Sequence, residues 1–248
     1  MGGEILLDKR TSFSTREKGP NDLVTDADIE SQRAIHNLIK SEFPDHGFVG
    51  EEENLDQPLN QDCEFNWIVD PLDGTLNYVH GLQSYSVSVA LSRGDQLIAG
   101  AVFDPVLNEM FAASLGSAAT LNGNIIEPSS CQRISESLVV ISLPGKTNRE
   151  SVEVKRMLSL VENCRSIRRL GSAALNLCYV AEGRVDGYLA TSVSAWDVAA
   201  GALILQQAGG VIRQVTGSQF DFQNPKFLAA ASDCLWEDIS QTAIEPNN

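Results

Sequence analysis

Asp70 and Asp73 stand three residues apart in the stretch Trp67-Ile68-Val69-Asp70-Pro71-Leu72-Asp73-Gly74-Thr75. The apolar run Trp67, Ile68, Val69 predicts a short buried strand ending at Asp70, and Pro71 blocks its simple continuation. Asp73, Gly74 and Thr75 read as a helix start with Asp73 as its cap. Two anionic side chains this close repel, and a bound cation removes that cost. The amides of Gly74 and Thr75, at a helix N-terminus, suit an anion. A cation site beside an anion site points to metal-assisted phosphoryl chemistry.

Two further carboxylates fit the same chemistry. Glu51 follows a predicted strand and a glycine, and Asp197 lies in the first turn of a predicted helix that opens at Trp196. All four acids fall at element ends, where open-sheet proteins place their sites. An all-oxygen donor set suits Mg2+ or Mn2+ rather than Zn2+. Taken singly, each residue has a plainer reading: Asp197 as a first-turn acid, Asp73 as a cap, Glu51 as a solvated member of an acidic run. The joint pattern argues for a site. His80 lies a helix turn beyond Thr75 and reads as a hydrogen-bonding residue of a packed turn. No Cys–His–acid pattern recommends a thiol nucleophile.

The elements that must position these residues can be followed along the chain. Residues 1–10 read as the tail of a helix whose front is missing, and 14–22 as a polar loop. Thr25 or Asp26 caps a helix to about Glu42, with Asp28 in its first turn and Ile35, Leu38 and Ile39 on its apolar face. Phe48-Val49 is a short strand, and 54–64 an exposed loop. In 84–91, Tyr85, Val87, Val89 and Leu91 alternate with Ser84, Ser86, Ser88 and Ala90, and strands follow at 97–103 and 109–113. Asn122-Gly123 signals a hairpin, so this half carries a mostly antiparallel sheet. From about residue 125 the pattern changes to strand–helix alternation: strands at 138–142, 185–189, 211–213 and 227–231, and helices at 149–162, 172–181, 196–208 and 233–244. The reading is an α+β, layered sandwich in two halves, 1–124 and 125–248.

Composition narrows the functional classes. The 248 residues carry 18 basic and 33 acidic side chains, a formal charge of −15, with no basic run longer than Arg168-Arg169, which argues against a nucleic-acid groove. An acidic protein that handles phosphate needs positive charge from elsewhere, which divalent cations supply. Five scattered cysteines without a C-x-x-C argue against a disulfide scaffold or a zinc site and for a reducing, cytoplasmic compartment. No apolar run approaches the ~18 residues of a membrane span.

The sequence resembles the inositol monophosphatase family of Mg2+-dependent, lithium-sensitive phosphomonoesterases, which are related to fructose-1,6-bisphosphatase. The resemblance rests on Asp70-Pro71-Leu72-Asp73-Gly74-Thr75 with Asn77 and His80 behind it, on Gly50-Glu51-Glu52, and on Trp196-Asp197-Val198-Ala199-Ala200-Gly201 followed by Ala208-Gly209-Gly210. Asp22-Leu23-Val24-Thr25 with Asp28, and Gly171-Ser172-Ala173-Ala174, match two more segments in the family order.

That resemblance implies an αβαβα sandwich and a homodimer. It implies that Glu51, Asp70 and the Leu72 carbonyl hold a first Mg2+, that Asp70, Asp73 and Asp197 hold a second, and that Glu51 reaches a third, weaker one; Mn2+ is an alternative ion. It places phosphate on the amides of Gly74 and Thr75, and a water-activating pair at Thr75 and Asp28. Asp73, Gly171, Ser172, Ala173 and Asp197 become substrate contacts, and Lys18 and Arg168 basic residues near the substrate. Inositol-specific members carry a Glu seven residues before the helix Asp, and here that position is Ala190. The implied substrate is a small polyol or sugar phosphate, with inositol 1-phosphate as the family default. Histidinol phosphate, fructose 1,6-bisphosphate and 3′-phosphoadenosine phosphates are alternatives. A regulatory partner of the transcription machinery is the alternative of another class.

Overall fold

The computed structural model describes residues 1–19, 22–52, 59–60 and 62–244. The chain opens with helix α1 (Gly2–Lys9), strands β1 (Thr15–Gly19) and β2 (Asp22–Thr25), and helix α2 (Asp26–Glu42). Strands β3 (Gly47–Gly50) and β4 (Phe65–Asp73), the short helix α3 (Thr75–Val79), and strands β5 (Ser86–Arg93), β6 (Gln96–Asp104), β7 (Glu109–Ser114), β8 (Thr120–Leu121) and β9 (Asn124–Ile125) follow. The remainder is β10 (Leu138–Ser142), α4 (Val152–Asn163), β11 (Ser166–Arg168), α5 (Ala173–Ala181), β12 (Gly187–Ala190), α6 (Ala195–Ala208), β13 (Val211–Gln214), β14 (Phe227–Ala230) and α7 (Asp233–Ile239).

Seven strands, β3 to β9 in chain order, form one sheet, antiparallel except for the β3–β4 pair. The two-residue turn between β8 and β9 puts Asn122 and Gly123 at φ 49 and 81, which explains that pair of residues at the hairpin. The second sheet has the order β11-β10-β12-β14-β13 and is parallel across β11, β10 and β12.

Three apolar cores stack the layers. Leu6 of α1 and Ala27, Ile35 and Ile39 of α2 pack on Val69, Leu72 and Val87, one face of the first sheet. The other face, through Ile68, Ala90 and Val102, meets α5 and α6, whose far sides meet Val140, Tyr188 and Phe227 of the second sheet. Leu160, Leu235 and Ile239 of α4 and α7 then cover Val139, Leu189 and Leu228. The result is the expected αβαβα order. Helix α6 lies between the two sheets, which accounts for its apolar residues on every side. It approaches the first sheet at Gly100, where a Cβ would sit 2.9 Å from the Ala200 carbonyl.

Several local expectations need correction. Strand β4 does not stop at Asp70: it runs through Pro71 to Asp73. Asp70 faces Ser88 and Asp73 faces Ser86, so Pro71 and Leu72 together oppose Val87, a bulge that tolerates proline. Within the polar segment 14–22, read as a loop, Thr15–Gly19 form β1 and Asp22 opens β2, because backbone pairing there needs no apolar alternation. Strand β11 went unread because three residues carry too little period. The last helix ends at Ile239 and passes into a π-helical turn, Ser240–Ile244.

Candidate metal and phosphate site

The bulge in β4 determines where the central carboxylates go. Asp70 accepts the Leu72 amide on Oδ1 at 2.9 Å. Asp73 does not cap its own helix. The N-cap of α3 is Gly74, left-handed at φ 96, with no side-chain cap bond. A Cβ there would lie 3.0 Å from the Ser84 carbonyl, so both the conformation and the space call for glycine. The Asp73 carboxylate instead receives the Ser172 hydroxyl, the Ala173 amide at 3.0 Å and the Ala174 amide at 2.8 Å, and so caps α5 in the other half of the chain. Ser86 Oγ lies 3.5 Å from the same carboxylate.

Asp197, in the first turn of α6, accepts the Ser194 amide at 2.6 Å. One oxygen from each of Asp70, Asp73 and Asp197 lies within 4.8 Å of the others. Burial, then the charges of Glu51, Asp73 and Asp197, push the Asp70 carboxyl well above its usual range. Burial raises Asp73 to about 6 against the hydrogen bonds that lower it. Burial, then Asp73 and Glu51, raise Asp197 to about 8. Glu51 sits in the turn after β3, its amide bonded to the Val69 carbonyl at 3.2 Å. Two buried carboxylates and the half-buried Asp197, close enough to raise one another's proton affinity, are a fit for a hard dication, whose charge removes the repulsion. The Glu51 carboxylate lies near enough for its charge to act on all three acids.

Beside it, Thr75 Oγ1 lies 3.2 Å from Asp28 Oδ1 and 3.0 Å from the Leu72 carbonyl. Asp28 is fully buried at the start of α2, where it closes a capping box with Thr25, accepting both its amide and its hydroxyl. Burial raises Asp28 to about 6. Ser31 donates to the Pro71 carbonyl at 3.1 Å and ties α2 to the bulge. Asn77 donates to the carbonyls of Ser84 and Leu170, both at 2.7 Å, and so joins the two halves behind the site. Gly171 takes φ 96 against Asn77, whose Nδ2 a Cβ would meet at 2.5 Å. Ser88 donates to the Trp196 carbonyl at 3.2 Å.

Ser31, Ser86 and Ser88 are supports that the sequence reading missed as site residues. The signal for two of them was present in the serine face of the alternating stretch 84–91. A cleft of about 190 Å³ opens beside Asp73 and Asp197, with Gly171, Arg169, Ser142 and Ser192 among its lining residues. The basic residue on that cleft is Arg169, not Arg168. The Arg168 guanidinium turns back onto Ser166 Oγ at 2.6 Å and the Ile167 carbonyl at 2.8 Å. The Lys18 side chain lies outside the described residues. His80 caps the end of α3 through its backbone, and Ala190 is fully buried on the face of β12 shared with Tyr188.

The sequence profile of the inositol monophosphatase family matches residues 1–245. The chain belongs to the inositol monophosphatase family. Among relatives of this family member, "Nus factor SuhB" of Pasteurella multocida is 37% identical over 240 residues, which cover 96% of this chain and 88% of that protein. "Inositol monophosphatase 1" of Solanum lycopersicum is 40% identical over 218 residues, 86% of this chain and 79% of that protein. The crystal structure of extragenic suppressor protein suhB from Bartonella henselae superposes with a TM-score of 0.92 at 29% identity, covering 100% of this chain and 95% of that one. The family's fold therefore spans the chain. No described helix is long and apolar enough to cross a membrane.

Proposed function

We propose that this inositol monophosphatase family member is a Mg2+-dependent phosphomonoesterase that hydrolyses small polyol and sugar phosphates, as a homodimer in the cytoplasm. The observation that carries the reading is the convergence of Asp70, Asp73 and Asp197 within 4.8 Å, beside the Thr75–Asp28 pair. Glu51, Asp70 and the Leu72 carbonyl would hold one Mg2+ or Mn2+, and Asp70, Asp73 and Asp197 another, so that residues 1–124 supply most donors and 125–248 supply Asp197. Bound there, the cations supply positive charge for the phosphoryl oxygens and the leaving alkoxide, and acidify water.

The chain's own groups do the rest. The Thr75 hydroxyl donates to Asp28 and can accept a hydrogen bond from water, so as the water gives its proton to Thr75 Oγ1 the Thr75 hydroxyl proton passes to the Asp28 carboxylate, which becomes the neutral acid. The amides of Gly74 and Thr75 receive phosphoryl oxygens. Ser172 and Ala173 act through Asp73, whose carboxylate they hold, and Gly171 lines the cleft for the leaving group.

Ala190 offers no carboxylate to sort ring hydroxyls, so breadth is expected. Phosphate release from inositol 1-phosphate, glycerol phosphates and hexose phosphates in Mg2+ should show several turned over. No preference for inositol 1-phosphate should reach ~100-fold, about 2.7 kcal/mol of discrimination. Failure to hydrolyse any of them would refute the reading. The relatives named Nus factor favour a second one, a partner of the transcription machinery; a pull-down of that machinery unaffected by chelation would support it.

A further inference from the structure

Arg169 is a cation that the reaction as described does not use. It stands at the end of β11, one residue beyond Arg168, and lines the cleft that holds Asp73 and Asp197. Among the described residues it is the only charged one lining that cleft apart from those two acids. Its side chain makes one long hydrogen bond, Nη2 to the Leu143 carbonyl at 3.5 Å, and among the described residues it forms no ion pair. With that one bond made, four of its five N–H donors remain for a ligand. Ser192 adds a hydroxyl to the cleft, where Ser142 Oγ already pairs with the Tyr188 hydroxyl at 2.7 Å. Ala190, paired with Ser142 at the end of β12, is buried and brings no negative charge. The cleft holds the volume of about six waters, which matches a leaving group of a few carbons.

We propose that Arg169 is a specificity-determining residue that binds a second anionic group on the leaving group, so that the preferred esters are phosphates of sugar acids or sugar bisphosphates rather than of neutral polyols. This deepens the phosphatase reading and rests on it. A guanidinium on a carboxylate or phosphate makes charge-assisted, often bidentate bonds, and in a half-enclosed cleft these are expected to be worth about ten- to a hundredfold in kcat/KM.

The test compares glucitol 6-phosphate, 6-phosphogluconate and glucitol 1,6-bisphosphate, which differ at the far end of one carbon chain. Glycerol 1-phosphate and 3-phosphoglycerate cover a shorter reach. With Mg2+, the natural protein is expected to favour an anionic member over its neutral partner by at least tenfold; a winning carboxylate or a winning phosphate identifies the anion. Arg169→Ala should erase that preference through KM, with the neutral ester changed less than twofold and Arg168→Ala leaving the preference intact. Equal losses on neutral and anionic esters, or no preference in the natural protein, would overturn the proposal. Calorimetric binding of gluconate against glucitol makes the comparison without turnover. If no ester is hydrolysed yet gluconate binds and Arg169→Ala abolishes that binding, the phosphatase reading falls and the anion site stands; if gluconate binds no better than glucitol in that case, both fall.

Discussion

Asp70→Asn is expected to abolish phosphate release, by on the order of 10³-fold or more, while the protein stays folded. Asp70 is almost wholly buried and shares the raised proton affinity of Asp73 and Asp197, so its charge is a cost in the cation-free protein. Asparagine keeps an oxygen for the Leu72 amide and removes that charge. The melting temperature without Mg2+ should therefore hold or rise, whereas the stabilisation by added Mg2+ should shrink. A variant that keeps turnover within tenfold of the natural protein would show that Asp70 does not join the two proposed cation sites.

Thr75→Ala should give the second-largest effect, and a different one. It deletes a hydroxyl 3.2 Å from Asp28 and leaves every carboxylate in place. We expect kcat to fall by on the order of 10²–10⁴ while Mg2+ affinity changes little. Asp28→Asn should fall in the same range, and the double variant should lose little beyond either single one, because the two groups act as a unit. Thr75→Ser keeps the hydroxyl and should retain activity. Additive losses, or a Mg2+ defect in Thr75→Ala as deep as in Asp70→Asn, would show that the roles are assigned wrongly.

The local signals in this chain were legible where one element decides them. The alternation around Val87 and Val89, the Asn122-Gly123 turn and Thr25 as a cap each express a local preference, and each is found in the fold. What escaped the sequence depends on partners far along the chain. Locally Asp73 looks like the cap of its own helix, but the helix it caps begins 100 residues later. Pro71 read as a terminator because nothing local shows that Val87 alone would face Pro71 and Leu72 across a bulge. The expectation of Arg168 near the substrate fails on the pleat of a three-residue strand, in which Arg168 shares a face with Ser166 and bonds to it. The acidic cluster itself was legible because its members lie at element ends; its 4.8 Å closeness was not, since Asp197 arrives on a helix placed by the packing of α6 against Gly100.

The central claim is that these oxygens work by holding dications. Phosphate release should be measured after exhaustive dialysis against EDTA, and again as Mg2+ is added back stepwise. The dialysed protein should show no turnover, recovery with Mg2+ or Mn2+, and inhibition by Li+ and by excess Ca2+, whose looser coordination suits in-line transfer poorly. Undiminished turnover in EDTA would contradict it.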